Sequence, residues 1–313
     1  MVQTPQVDVV IPSYKVDRSI REVIAQIPDF VTHVIVVDDA CPHSSGEVAQ
    51  ALNDKRVHVV FHETNQGVGG ATISGYRKAL ELGTDIVIKI DGDGQMDCAY
   101  MPALIRPILE GKADYAKGNR FIDFNALAAM PKIRLMGNSA LSFLVKAASG
   151  YWNIMDPTNG YTAISREALV RLPLDKIDRR YFFESSMLIY LNIENIAVKD
   201  VSIPARYGDE KSSLSISHTL ASFPKKLFKG MLKRIWLKYF IFDFNMASLY
   251  MLTGFPLLLF GVVFGSYRWI VGTIENELNP VGTVMLAVLP IILGTQFLLQ
   301  AIQIDMSNIP KKE

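Results

Sequence analysis

Residues 86–97 read IVIKIDGDGQMD. Five mostly apolar, strand-like residues run into two aspartates held one glycine apart. A buried strand ends where polar groups meet solvent, so a turn at this point is expected. Asp91 and Asp93 repel one another unless positive charge sits between them, and a divalent cation carrying a phosphate supplies it. With Gln95 the stretch offers three oxygen donors within five residues, and Gly92 lets the backbone bend so that both carboxylates face one point. Hard oxygen donors favour Mg2+ or Mn2+ over zinc. A lone D-x-D is most often a polar turn, so its weight depends on its surroundings.

Those surroundings alternate. Strand-like runs at 7–11, 34–37, 57–61 and 86–90 are separated by helical patterns near 18–27, 46–52 and 68–82. Apolar strands alternating with helices predict an α/β fold with a mostly parallel sheet covered on both faces. Ligands of such sheets bind beyond the carboxyl ends of the strands. Pro12-Ser13-Tyr14, Asp38-Asp39, Asn65 with Gly67, and Asp91-Gly92-Asp93 stand at four such ends and are expected to share one rim. Asp38-Asp39 is either an ordinary strand-end turn or an acceptor for a ribose hydroxyl or base N–H.

Gly67, Gly69, Gly70 and Gly75 invite a dinucleotide reading, but Thr72 stands where the third glycine belongs and the stretch follows the third strand. That reading is rejected. No phosphate-loop lysine motif or paired-histidine zinc motif occurs. The five histidines show no catalytic or metal spacing. Asp156 lies in DPTNGYTAISREAL, a turn leading into a strand and helix, where it is a cap or a carboxylate aimed at an acceptor. Arg120, Arg134, Arg206 and Lys211 are candidate phosphate clamps, since guanidinium forks suit phosphate oxygens. Loops are expected at 126–131 and 207–217.

Lys and Arg number 32 against 31 Asp and Glu, which gives no global argument for nucleic acid. Cys41 and Cys98 are far apart and outside metal spacing. With no secretory leader in view they read as reduced thiols. The last quarter differs. Residues 249–272 and 281–304 are apolar runs of 24 residues each, with Arg268 the sole charge. Each covers roughly 36 Å as a helix, against a hydrocarbon core of ~30 Å. Buried core helices are the alternative, but globular helices seldom stay apolar on every face for so long. Six bases between Lys225 and Lys238 precede the first run, Lys311 and Lys312 follow the second, and the connector TIENELNP carries only acids. Positive flanks stay cytoplasmic, so a hairpin with both ends inside is expected. Residues 218–242 mix these bases with aromatics and read as amphipathic helices on the anionic inner leaflet.

The segments VVIPSYKV, VVDDACPHSS, NQGVGGATISGYRKAL, IVIKIDGDGQMD, KGNRF and DPTNGYTAISREAL resemble, in order, the motifs of family 2 glycosyltransferases. The resemblance covers about residues 6–215 and is closest to the polyprenyl-phosphate branch, with its dolichyl-phosphate mannose synthases and bactoprenyl-phosphate glucosyltransferases. It implies a GT-A fold and a metal-dependent, inverting transfer of a hexose from UDP-glucose or GDP-mannose to a polyprenyl phosphate. Carried over by position, Pro12, Tyr14 and Asp39 would hold the nucleoside, and Asp91, Asp93 and Gln95 the Mg2+ or Mn2+. Asp38, Asn65 and Gly67 would complete the nucleotide-sugar site. Arg120 and Arg134 would meet phosphates, and Arg206 with Lys211 would belong to a loop over the site. That loop departs from the family, since ARYGDEKSSLS places an acidic pair before Lys211. Asp156 matches a family acid and is expected to position groups rather than act as a strong base.

The implied organisation is a cytosolic catalytic domain at 1–217, basic juxtamembrane helices at 218–247 and a transmembrane hairpin at 248–313. The enzyme would sit in the inner cell membrane, with the bilayer as a partner and a homo-oligomer compatible with so small an anchor. Two rival readings are a processive polysaccharide synthase of the same fold and an inactive membrane scaffold. The first is disfavoured because KRIWLKYF lacks a Q-x-x-R-W motif, and the second because the acidic cluster is intact.

Overall fold

The computed structural model describes residues 5–120, 132–204 and 216–312. The chain divides into two compact units, one reaching Arg234 and joined by the last residues from Pro310, the other Ile235–Ile309.

In the first unit a seven-stranded sheet has the order β3-β2-β1-β4-β6-β5-β7. Its strands are β1 (Val7–Ser13), β2 (Val31–Asp38), β3 (Val57–Phe61), β4 (Ile86–Lys89), β5 (Tyr115–Asn119), β6 (Thr162–Ser165) and β7 (Val198–Ser202). Four of the six pairings are parallel, and β6 runs antiparallel to both β4 and β5. The mostly parallel sheet expected from the alternating pattern is therefore present. The reversal of β6 was not foreseen, because a four-residue strand gives no sign of its direction. It has a consequence for the site: the segment entering β6 arrives at the rim where the parallel strands leave.

The helices of this unit are α1 (Ile20–Ala25), α2 (Ser45–Gln50), α3 (Val68–Leu82), α4 (Met101–Leu109), α5 (Lys132–Ser149), α6 (Arg166–Arg171), α7 (Phe183–Ile193) and α8 (Ile216–Trp236). Strand side chains alternate faces. Val9, Ile11, Val34, Val36, Ile86 and Ile88 join Ile20, Val23, Met101 and Leu104 in one buried core under α1, α2 and α4. The opposite face takes α3. There a Cβ at Gly75 would lie 2.3 Å from Val10 Cγ1, so glycine is what lets α3 approach β1.

The glycines at 67, 69 and 70 have the same kind of purpose. A Cβ at Gly69 would lie 2.5 Å from the Asp178 carbonyl oxygen, and one at Gly67 2.8 Å from that of Arg179. The Gly70 amide donates to the Arg179 carbonyl at 2.9 Å. This glycine cluster seats the chain's own 178–180 turn.

Helix α8 packs on α7. Leu227 is buried, Phe223 meets Phe182 edge-on at 5.3 Å, and Lys226 pairs with Asp178 at 2.6 Å. Arg234 departs from the expectation of an outward-facing base. It is buried and donates to the carbonyls of Ala147 and Ala148, at the C-terminal end of α5 where orphan carbonyls attract cations. Phe228, Leu232 and Trp236, spaced by four, remain exposed in a stripe beside Lys225 and Lys229. Of the two loops expected from the sequence, 126–131 lies outside the described residues. So does 207–215, while 216–217 opens α8.

The second unit is a hairpin of α9 (Met246–Glu275) and α10 (Val281–Ser307), each long and apolar enough to cross a membrane. An Asn245–Ser248 capping box starts α9, and Asn276 in the left-handed region ends it. The two helices approach closely at glycines: a Cβ at Gly261 would lie 2.8 Å from the Ala287 carbonyl oxygen. Most large apolar side chains face outward, Trp269 and Ile270 among them.

Candidate active site

The four strand ends named in the sequence do meet on one rim. The Asp39 amide donates to the Ser13 carbonyl at 3.0 Å, the His62 amide to the Asp38 carbonyl at 2.9 Å, and Ser19 Oγ to the Gly92 carbonyl at 2.7 Å. Pro12 is buried in β1, whereas Tyr14, just beyond it, is 43 % exposed with Lys15 Nζ 5.3 Å from its ring centre.

The two acids after β2 serve different loops. Asp38 accepts the amides of Cys41 and Gly46, both at 2.7 Å, and so fixes the turn into α2. Asp39 accepts the Gln66 and Gly67 amides, each at 2.8 Å, and His62 Nδ1 at 2.7 Å. Since the carboxylate accepts from Nδ1, that nitrogen carries the proton, and Nε2 is hydrogen-bonded with Ser74 Oγ at 2.8 Å. Asn65 Nδ2 bonds the Asp39 carbonyl at 3.2 Å, which brings the β3 loop to the same place.

After β4, Asp91 accepts Lys89 Nζ at 2.6 Å, and Asp93 accepts the Gln95 amide at 3.0 Å. Asp91 is about one-third exposed, Asp93 is half-buried and Gln95 is exposed. Lys89 itself is buried on the α3 side of the sheet, with Glu184 Oε1 of α7 at 3.8 Å. Burial opposes its charge, but Asp91 and Glu184 outweigh burial and hold its pKa above the ordinary lysine value. Burial also raises the Glu184 pKa, partly offset by Lys89 and Lys117. Lys117, on the same face of β5, has its pKa lowered to about 8 by burial, and its ammonium donates to the Asn159 carbonyl.

The turn before β6 closes the other side. Asp156 is fully buried and takes Arg120 Nε at 2.7 Å and a second guanidinium nitrogen at 3.1 Å. Asn159 bonds back to Gly118, and a Cβ at Gly160 would lie 2.5 Å from Lys89 Nζ and 3.1 Å from Asp91 Oδ2. The Asp156 turn therefore lies against the Asp91 turn, and Arg120 belongs to the same rim. Arg134 is placed on the first turn of α5. Arg206 and Lys211 lie outside the described residues.

Three residues of this region were missed in the sequence: Lys89, Glu184 and His62. Lys89 left a signal, because a lysine inside an otherwise apolar strand needs a buried counter-ion. Glu184 and His62 left none that spacing could reveal.

The sequence that builds this rim matches a known family. The model for glycosyl transferase family 2 matches residues 8–172, over half of the chain. The chain belongs to glycosyl transferase family 2. Among its relatives in this family, the UDP-N-acetylglucosamine–dolichyl-phosphate N-acetylglucosaminyltransferase of Methanococcus voltae is 30 % identical over 215 residues, covering 64 % of this chain and 85 % of that protein. The undecaprenyl-phosphate mannosyltransferase of Micrococcus luteus is 33 % identical over 183 residues, 57 % of this chain and 74 % of that one. Among solved structures, glucosyl-3-phosphoglycerate synthase of Mycobacterium tuberculosis, in complex with Mn2+, UDP and glucosyl-3-phosphoglycerate, superimposes with a TM-score of 0.55 at 22 % identity. That likeness covers 74 % of this chain and 80 % of the synthase, and it carries the GT-A fold.

Proposed function

We propose that this family 2 glycosyltransferase moves a hexose from a nucleotide-sugar, UDP-glucose or GDP-mannose, to a polyprenyl phosphate at the inner membrane surface. The observation that carries this reading is the contact of the Asp156 turn with the Asp91 turn at Gly160. It puts a cation-bearing pair beside an acidic pair on one rim, as joining a phosphate acceptor to a diphosphate donor requires. Support comes also from the names of the two relatives, both transferases for polyprenyl phosphates.

In this reading Pro12, Tyr14 and Asp39 hold the nucleoside, with Asp38, Asn65 and Gly67 shaping the loops around it. Asp91, Asp93 and Gln95 would hold Mg2+ or Mn2+. The donor set fits: all three offer oxygens, and Asp91 and Asp93 leave their turns half open to solvent. Among the described residues no group of three His, Cys, Asp or Glu could enclose a cation, so diphosphate oxygens would complete its shell. A bound divalent cation neutralises the charge that develops on the departing diphosphate. Arg120, held by Asp156, and Arg134 orient the acceptor phosphate in line with the anomeric carbon. A phosphate oxygen forms the new bond to that carbon while its bond to the diphosphate breaks and the electron pair leaves with the nucleotide. The acceptor phosphate is already ionised near neutral pH, so Asp156 needs no role as base. In this reading Arg206 and Lys211 are further candidates for meeting a phosphate.

The catalytic domain is 1–217, the juxtamembrane segment 218–247 and the anchor 248–313. Phe228, Leu232 and Trp236 beside Lys225 and Lys229 suit an anionic interface, which supports a reading with the catalytic domain and both flanks of the hairpin on the cytoplasmic side. The test is transfer of radiolabelled sugar to a polyprenyl phosphate by the purified protein. Nucleotide donors would be offered with and without Mn2+, beside Asp93→Ala. Metal-dependent labelling of lipid that is lost in the variant supports the reading; no labelling from any donor sinks it and leaves a membrane scaffold.

A further inference from the structure

Lys89 is the one buried cation directly bonded to a carboxylate of the Asp91–Asp93 pair among the described residues. Its ammonium is 2.6 Å from Asp91 Oδ1 and 3.8 Å from Glu184 Oε1, so it has one partner at contact distance and a second just beyond it. Two features make this a built arrangement. Gly160 leaves the space the ammonium occupies, since a Cβ there would come within 2.5 Å of Nζ. Glu184, on the first turn of α7, is only 17 % exposed, and a carboxylate is not kept there without a cation to face.

We infer that Lys89 is a two-position counter-ion, bonded to Asp91 while the acidic pair holds no cation and received by Glu184 when a divalent cation takes its place. This rests on the reading of Asp91 as a ligand given above. The physical argument is one of charge. A divalent cation and an ammonium on one carboxylate repel each other, and in a low-dielectric interior an ammonium pushed away needs another anion at once. Glu184 is that anion. It is a positioning residue, acting on Asp91 through Lys89.

The measurement is Mn2+ binding to the full-length protein in detergent with UDP present, read by electron paramagnetic resonance of free Mn2+. Glu184→Gln keeps shape and removes charge. Lys89 is then left with Asp91 alone, and Mn2+ affinity is expected to fall about tenfold, the worth of one hydrogen bond to a charged group. In a Lys89→Met background the same change at 184 should have no further effect, since no ammonium needs a second seat. Glu184→Asp retains the charge one methylene further back and should fall between, which keeps the idea testable if the glutamine variant fails to fold. Unchanged Mn2+ affinity in a folded Glu184→Gln, or equal losses with and without Lys89, would overturn the inference. Sugar transfer is assayed on the same preparations. A wild type that binds Mn2+ with the expected 184 effect but transfers no sugar removes the proposed function alone. A wild type that transfers sugar while residue 184 has no effect on Mn2+ removes this inference alone.

Discussion

Arg120 presents two guanidinium nitrogens to the two oxygens of Asp156, at 2.7 and 3.1 Å, with the acid fully buried and the arginine 43 % exposed on the rim. The acid is the fixed partner and the guanidinium the one that reaches outward. Asp156→Asn keeps one acceptor and loses the charge, so the fork is no longer held in one plane. The expected result is a fall in kcat of about 10²–10³-fold with the donor KM changed only a few-fold, the pattern of lost electrostatic positioning. Steady-state transfer assays check it, and a donor KM that rises as much as kcat falls would contradict it.

Asp39 makes a prediction about the donor's base. Three of the roughly four acceptor directions of its carboxylate are used by Gln66, Gly67 and His62. What remains suits a base with one N–H on its recognition edge, as in uracil. Guanine offers an N–H and an amino group side by side and needs both oxygens. UDP is expected to bind about tenfold more tightly than GDP with Mn2+ present, by titration calorimetry. Equal or tighter binding of GDP would remove the argument.

Much of this site was open to reading in the sequence because its residues sit where strands must stop. A run such as IVIKI cannot end inside the sheet, so Asp91 and Asp93 had to lie on the rim. The same logic gave Tyr14, Asp39 and Asn65. What could not be read is which carboxylates are already engaged. Asp38 and Asp39 look alike in the chain, yet one is bonded to the turn into α2 and the other to the β3 loop. The reversal of β6 and the inward turn of Arg234 were hidden for a related reason. Both depend on partners far away in sequence, at β4 and β5 in one case and Ala147 and Ala148 in the other.

Arg234→Met should destabilise the first unit. The substitution fills much of the same volume but leaves the Ala147 and Ala148 carbonyls buried without those donors. A loss of about 2–4 kcal/mol is expected, seen as a lower melting temperature in detergent. Lys229→Met, on the exposed side of the same helix, should leave the melting temperature unchanged.

Asp200 gives a pH dependence. Burial raises its pKa from 3.8 to about 6, although the Met155 amide bonded to it works in the other direction. A carboxyl whose folded pKa lies above its unfolded value binds its proton more tightly when folded. Its contribution to stability is then fully present below the unfolded value and is lost as pH rises through about 6. Asp200→Asn should flatten the melting temperature across that window. A slope unchanged in the variant would assign the dependence to another group.

The seam between the β3–α3 loop and the 178–180 turn has a wider meaning. Gly67 and Gly69 meet the carbonyls of Asp178 and Arg179, and Gly70 donates its amide to the latter, so the contact is made by main chain on both sides. Side chains add to this join, since Arg179 donates to Gln66 Oε1 at 3.2 Å and Arg180 to Asn65 Oδ1 at 3.5 Å. The seam thus ties the loop that carries Asn65 and Gly67 to the start of α7, whose Glu184 faces Lys89. An engineer who exchanged the 178–180 turn would therefore shift Glu184 along with it, so a graft should carry this join whole.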